Sequence, residues 1–181
     1  VDKNITISNH GRECSIGIGN LVTGNSTIKP NHSTIIGHNA GQYAMTHCLV
    51  AIGNCASWRG GRNSVRIGYQ AGKKNDGIGS IGIGWRALGS FNNANGAYNI
   101  AIGQSAMGSN PADGSHNIGI GCSALAVNQN GVKNIAIGSR ALITMHGAST
   151  NTSDSNVVVG YGAGENISRG KCNVIIGAFA G

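Results

Sequence analysis

Aromatic side chains are scarce in this chain, with two Trp, four Tyr and two Phe among 181 residues. They supply much of the buried area of an ordinary compact core, so the core expected here is thin and aliphatic. Proline occurs twice and no charge block is present, which leaves neither a linker nor an internal boundary, and residues 1–181 read as one domain. The acidic residues are Asp2, Glu13, Asp76, Asp113, Asp154 and Glu165. That is a poor supply for the close carboxylate pair a polysaccharide-cleaving enzyme needs. No Cys-x-x-Cys occurs among the five cysteines, so a zinc ribbon or thioredoxin-like motif is not supported. There is no run of 18 apolar residues and hence no transmembrane helix. Apolar residues never recur at helical spacing over three turns. No signal peptide is visible, and a start at Val1 is what a piece of a longer protein would show.

What the chain has instead is a repeat. Asn99-Ile-Ala-Ile-Gly-Gln-Ser-Ala-Met107 recurs with small changes ten times between Ser15 and Gly181, and residues 4–11 resemble an eleventh copy. The anchor glycines are Gly19, Gly37, Gly53, Gly68, Gly84, Gly103, Gly121, Gly138, Gly160 and Gly177, spaced 15 to 22 residues apart. A period in this range marks a solenoid, whose units bury their apolar faces only by stacking. Each copy reads N-φ-x-φ-G-x-x-A, with φ β-branched, as in Ile100/Ile102, Ile118/Ile120 and Ile135/Ile137. Such pairs favour a short strand and share one side of it. The pairs are expected to face the coil's interior. The Ala three residues past nine of the ten anchors would leave room there for two opposed short strands. The residue between the pair (Ala101, Gly119, Ala136 and their equivalents) would then face away from the coil and meet a partner chain, with Arg66 the exception. Eleven coils at ~4.8 Å would give a rod of roughly 50 Å. The fold class is therefore all-β, a parallel β-solenoid of about 10–11 coils. Its thin core points to a homotrimer.

Net charge is +7, and six of the thirteen basic residues are Arg59, Arg62, Arg66, Lys73, Lys74 and Arg86. This favours an anionic partner such as lipopolysaccharide phosphate or an acidic glycan. The scarce aromatics gather in the same stretch. Trp58, Arg59, Arg62, Tyr69, Trp85, Arg86, Phe91 and Tyr98 form the candidate glycan-binding set. Aromatic faces stack on sugar rings, and arginine grips phosphate or carboxylate in bidentate fashion. These aromatics would alternatively staple loops to the coil or cover a seam between chains. Base stacking on nucleic acid uses the same residue types, but one isolated basic stretch does not make a nucleic-acid groove, and no nucleic-acid partner is expected.

The remaining motifs carry less. Gly77–Gly82 matches G-x-G-x-x-G, but it runs into another β repeat rather than the helix a dinucleotide site requires. Ile-Gly-x-x-Ala is one hexapeptide of the left-handed β-helix acyltransferases. Here only one stands in each repeat, and His116 and His146 have no acidic residue beside them to serve as orienter. No catalytic residue, cofactor or metal site is expected. Cys14, Cys48 and Cys172 share a position five before the anchor, on coils that are not neighbours. With Cys55 and Cys122 they are expected to be free, mostly buried thiols, which favours folding in a reducing cytoplasm.

The motif [NS]-[IV]-x-[IV]-G-x-x-A, clearest in SVRIGYQAG, NVVVGYGAG and NIAIGQSAM, resembles the head repeats of YadA-type trimeric autotransporter adhesins. It is more similar still to glycine-rich repeats of bacteriophage tail fibres, over residues 4–181. The resemblance implies a left-handed β-roll, a homotrimer joined to other fibre segments, and attachment to bacterial cell-surface polysaccharide or lipopolysaccharide. Location would be the virion or, for an adhesin head, the bacterial surface. The longer, irregular spacing and the cysteines fit the fibre better than the adhesin. Such fibres often carry a self-cleaving C-terminal chaperone, which a last complete repeat at Gly181 would fit. A rigid shaft spacer, an acyltransferase and a depolymerase are the alternatives.

Overall fold

The computed structural model describes residues 15–19, 32–44, 47–89, 96–108, 114–128, 130–145 and 153–181. It is all-β, with no helix among the described residues. Ten short parallel strands form one sheet: β1 (Ile16–Ile18), β2 (Thr34–Ile36), β3 (Leu49–Ile52), β4 (Ser64–Ile67), β5 (Ile81–Ile83), β6 (Ile100–Ile102), β7 (Ile118–Ile120), β9 (Ile135–Ile137), β11 (Val157–Val159) and β12 (Val174–Ile176). Each repeat gives one strand and each strand pairs with the next. Equivalent residues align, Ile100 with Ile118 and Ile118 with Ile135. The result is a β-solenoid. The eleventh copy, at 4–11, lies outside the described residues.

The pleat runs opposite to the sequence expectation. Inward residues are the Asn or Ser that opens the motif and the residue between the β-branched pair: Asn99 and Ala101 are fully buried, whereas Ile102 is 37% exposed. The β-branched pairs therefore form the outer face of the sheet, and the between-pair residues form the core rather than a contact with a partner. The interior is narrow at these coils: a Cβ on Gly119 would already lie 3.2 Å from the Ala124 carbonyl oxygen. Among the described residues, the coils do not each add a second strand opposite the sheet. The far wall is a turn, stitched from coil to coil by bonds such as Leu88 N–H to Ala106 O, 3.0 Å, and Leu125 N–H to Ala141 O, 3.1 Å. A separate two-stranded pair, β8 (Val127–Asn128) with β10 (Thr144–Met145), stands apart from the main sheet.

Core volume is conserved by pairing. In four coils the between-pair residue is small (Gly82, Ala101, Gly119, Ala136) and the residue four past the anchor is large (Leu88, Met107, Leu125, Leu142); Ala51 with Ser57 is the exception. Where the between-pair residue is large (Ile35, Arg66, Val158), the residue four past the anchor is glycine: Gly41, Gly72, Gly164. A Cβ on Gly41 would lie 2.9 Å from the Ile35 side chain. Interiors packed at crystal-like density demand such compensation.

Two columns lock the stack. Anchor glycines lie directly over one another at φ near +130°, and a Cβ on Gly103 would sit 2.5 Å from the Gly121 carbonyl oxygen. Beside them runs a buried asparagine ladder. The Asn117 Oδ1 accepts the backbone N–H of Asn134 at 2.9 Å and its Nδ2 at 3.2 Å, while the Asn117 Nδ2 donates to Gly131 O at 2.8 Å. Asn99, Asn134, Asn156 and Asn173 continue the ladder. Toward the N-terminus, serine hydroxyls take the same role, as in Asn99 N–H to Ser80 Oγ, 3.1 Å. The ladder thus matches its own buried amides, which a narrow core requires.

The thiols differ from expectation. No disulfide forms among the described cysteines, but Cys48, Cys122 and Cys172 are exposed and Cys55 is half-buried. Cys48 and Cys172 occupy a corner column where the chain turns through left-handed backbone, φ 55° and 57°, before entering the strand. Side chains there point out of the coil. Cys14 lies outside the described residues.

Candidate glycan-binding site

The aromatic and basic stretch from Trp58 to Tyr98 is divided by the strands into two ends of the coil. Arg62 precedes β4 and Tyr69 follows it, so four strand residues, about 13 Å of extended chain, lie between them. The seven candidate residues that are described therefore fall at two ends of the coil.

At the end where the chain enters the strands, Trp58, Arg59 and Arg62 line a pocket with Tyr43, Gly60, Gly61, Asp76 and Ile78, about 590 Å³ in volume. That lies within the ~300–1,000 Å³ usual for small-ligand sites. Tyr43, Asp76 and Ile78 were not among the residues expected from the sequence. Tyr43 comes from the previous coil and Asp76 and Ile78 from the next, so only the stacking register reveals them. Trp58 is fixed on several sides. Its ring meets Tyr43 edge-on at 4.9 Å, its Nε1–H donates to Gln42 Oε1 at 2.8 Å, and Lys73 Nζ lies 5.9 Å from the ring centre. The Gly60-Gly61 pair lets the Asp76 carboxylate close over the backbone: a Cβ on Gly60 would overlap Asp76 Oδ1.

Behind this pocket lies Arg66, wholly buried where the other coils carry Ala, Gly, Ile or Val. Its Nη1 donates to Ser80 O at 2.7 Å and its Nη2 to Asn75 Oδ1 at 3.3 Å, while Nε has no partner among the described residues. Burial pushes the guanidinium pKa down to about 10. No carboxylate pairs with it among the described ion pairs. The apolar core stops on either side: one cluster ends at Ala56 and the other begins at Ala87.

At the far end, Tyr69 and Trp85 stand on adjacent coils, 47% and 43% exposed. Arg86 lies over the Trp85 ring at 5.2 Å, and Gln70 Nε2 donates to the Tyr69 hydroxyl at 3.2 Å. Arg86 N–H bonds to Tyr69 O at 2.9 Å, which holds the two coils in register. This is an open ridge. Tyr98 belongs to the pocket end: its N–H donates to Ile78 O at 2.8 Å, its ring stacks on His116 at 5.1 Å, and a Cβ on Gly79 would run into it. Phe91 lies outside the described residues. Of the carboxylates described, Glu165 pairs with Arg140 and Asp154 with Lys171.

No family model, curated protein or solved structure matches the chain.

Proposed function

We propose that this chain is a segment of a trimeric bacteriophage tail fibre or similar adhesin that attaches to bacterial surface glycans or lipopolysaccharide. The observation that carries the reading is the pocket at Trp58, where an aromatic ring, two arginines and a carboxylate converge on a rigid stack. Sugar rings offer an apolar face for the indole and hydroxyls for the polar groups. The outward isoleucine and valine columns support the trimer. Ile102 and Ile137 are exposed on the sheet face, beside further half-buried β-branched residues. Contiguous apolar faces of this kind mark contact surfaces, and two further copies of the chain would cover them. Three copies per fibre would then turn weak sugar contacts into firm attachment.

A shaft with no binding role is the competing reading, favoured by the uniformity of the asparagine and glycine columns. Labelled protein would be incubated with a panel of bacterial cells, with Trp58→Ala and Trp85→Ala variants alongside. Saturable binding that purified surface polysaccharide competes away and Trp58→Ala removes supports attachment through the pocket. Loss only in Trp85→Ala moves the site to the ridge, and no binding by a folded trimer leaves the shaft.

A further inference from the structure

The guanidinium of Arg66 is the one buried charged group among the described residues, and it falls in the coil whose loops form the pocket. A buried cation is ordinarily paired with an anion. Arg66 instead spends its donors on a carbonyl and an amide, and both acceptors already have another donor. Ser80 O accepts Val65 N–H at 3.1 Å, and Asn75 Oδ1 accepts Gly77 N–H at 2.9 Å. The fold does not need the charge to satisfy its amides. Nor does it need the charge to fill space, because Ile35 and Val158 occupy the equivalent slot opposite glycine in other coils.

The charge lies directly behind the pocket wall, buried and not itself lining the cavity. An atom at the Cβ position of Gly61, a pocket-lining residue, would be 3.7 Å from Arg66 Nη2. Asn75 and Ser80, which Arg66 holds, bracket the segment that brings Asp76 and Ile78 to the wall. Around the cavity Arg59, Arg62 and Lys73, with Arg66 behind, outnumber the single carboxylate of Asp76.

We propose that the pocket takes an anionic saccharide, a sugar ring bearing a carboxylate or a phosphate, with Arg62 meeting the anion and Arg66 acting as a positioning residue that shapes the wall and sets the field behind it. The inference rests on the glycan-binding reading and adds the ligand's charge. Removing the buried cation then costs binding and not folding, which is the opposite of what a core-filling role would give.

The test titrates the whole chain with tetragalacturonate, glucose 6-phosphate, neutral galactotetraose and inorganic phosphate. Either charged sugar is expected to bind at least about tenfold more tightly than galactotetraose, in line with a charge-assisted hydrogen bond, with affinity falling as salt is added. The two charged probes separate carboxylate from phosphate recognition. Arg62→Gln, at an exposed position, should weaken the charged sugar about tenfold and galactotetraose less than twofold. Arg66→Met should lower the same preference while melting at the wild-type temperature or above. Equal binding of charged and neutral sugars overturns the proposal and leaves glycan recognition standing. Inorganic phosphate binding as tightly as glucose 6-phosphate reduces the site to an anion hole and overturns it too. Arg66→Met that melts lower with its preference intact makes Arg66 a filler. Binding of no sugar at all removes this inference and the glycan reading together.

Discussion

Gly103 and Gly177 hold the same place in the repeat with nearly the same backbone, φ 128° and 129°, but not the same neighbours. A Cβ on Gly103 meets the Gly121 carbonyl oxygen at 2.5 Å, whereas on Gly177 it meets only the Ala180 Cβ at 3.7 Å. Both alanine variants bear the left-handed strain, about 1–3 kcal/mol. Only Gly103→Ala adds a collision with backbone. Urea unfolding should therefore show Gly177→Ala as a modest loss and Gly103→Ala as a severe one, above about 4 kcal/mol. Equal losses would mean that strain alone fixes the column. Asn117 offers a second test. Asn117→Ala strands the Asn134 N–H inside the stack, and a buried orphan costs about 1–3 kcal/mol. A loss of roughly 1–3 kcal/mol is expected, again by urea titration.

Strand β6 shows what could be read from the sequence and what could not. The repeat made the parallel strands and their register legible, because the same letters recur in every copy and stack even though the spacing varies. The phase of the pleat was not legible. Ile100 and Ile102 carry the apolar volume, and burial by hydropathy alone turns them inward. The interior is filled instead by Leu88, Met107, Leu125 and Leu142 from the turn, paired in size with Ala101 and its equivalents. That covariation is present in the letters but requires knowing which turn residue faces which strand residue. The pocket was half legible for the same reason. Trp58, Arg59 and Arg62 are close in sequence, while Tyr43 and Asp76 arrive from neighbouring coils. Ala101→Asp should abolish folding and Ile102→Asp should not, by circular dichroism. On the trimer reading, Ile102→Asp should also shift the molecule toward monomer by light scattering. A folded trimer in Ile102→Asp would remove the sheet face from the interface.

At the scale of the whole molecule, each described strand of the sheet contacts only the strands next to it. Stability is then close to a sum of coil and interface terms. Deleting residues 104–121 joins Gly103 to Cys122, the bond partner that Gly121 has now, and should leave a folded, shorter stack with a lower melting temperature. Loss of all β signal in that variant would mean that the coil types are not interchangeable. The strands lie across the long axis, so their hydrogen bonds run along it. Tension applied between the two ends pulls each ladder apart as a zipper opens, bond by bond, rather than shearing a whole strand at once. A coil of 15 to 22 residues adds only ~5 Å to the length when folded, yet releases roughly 50–70 Å of chain when it opens. Stretched singly, the molecule would lengthen in steps of that size at low force, yielding a coil at a time and recovering when the load is removed. Such a stack would behave as a shock absorber.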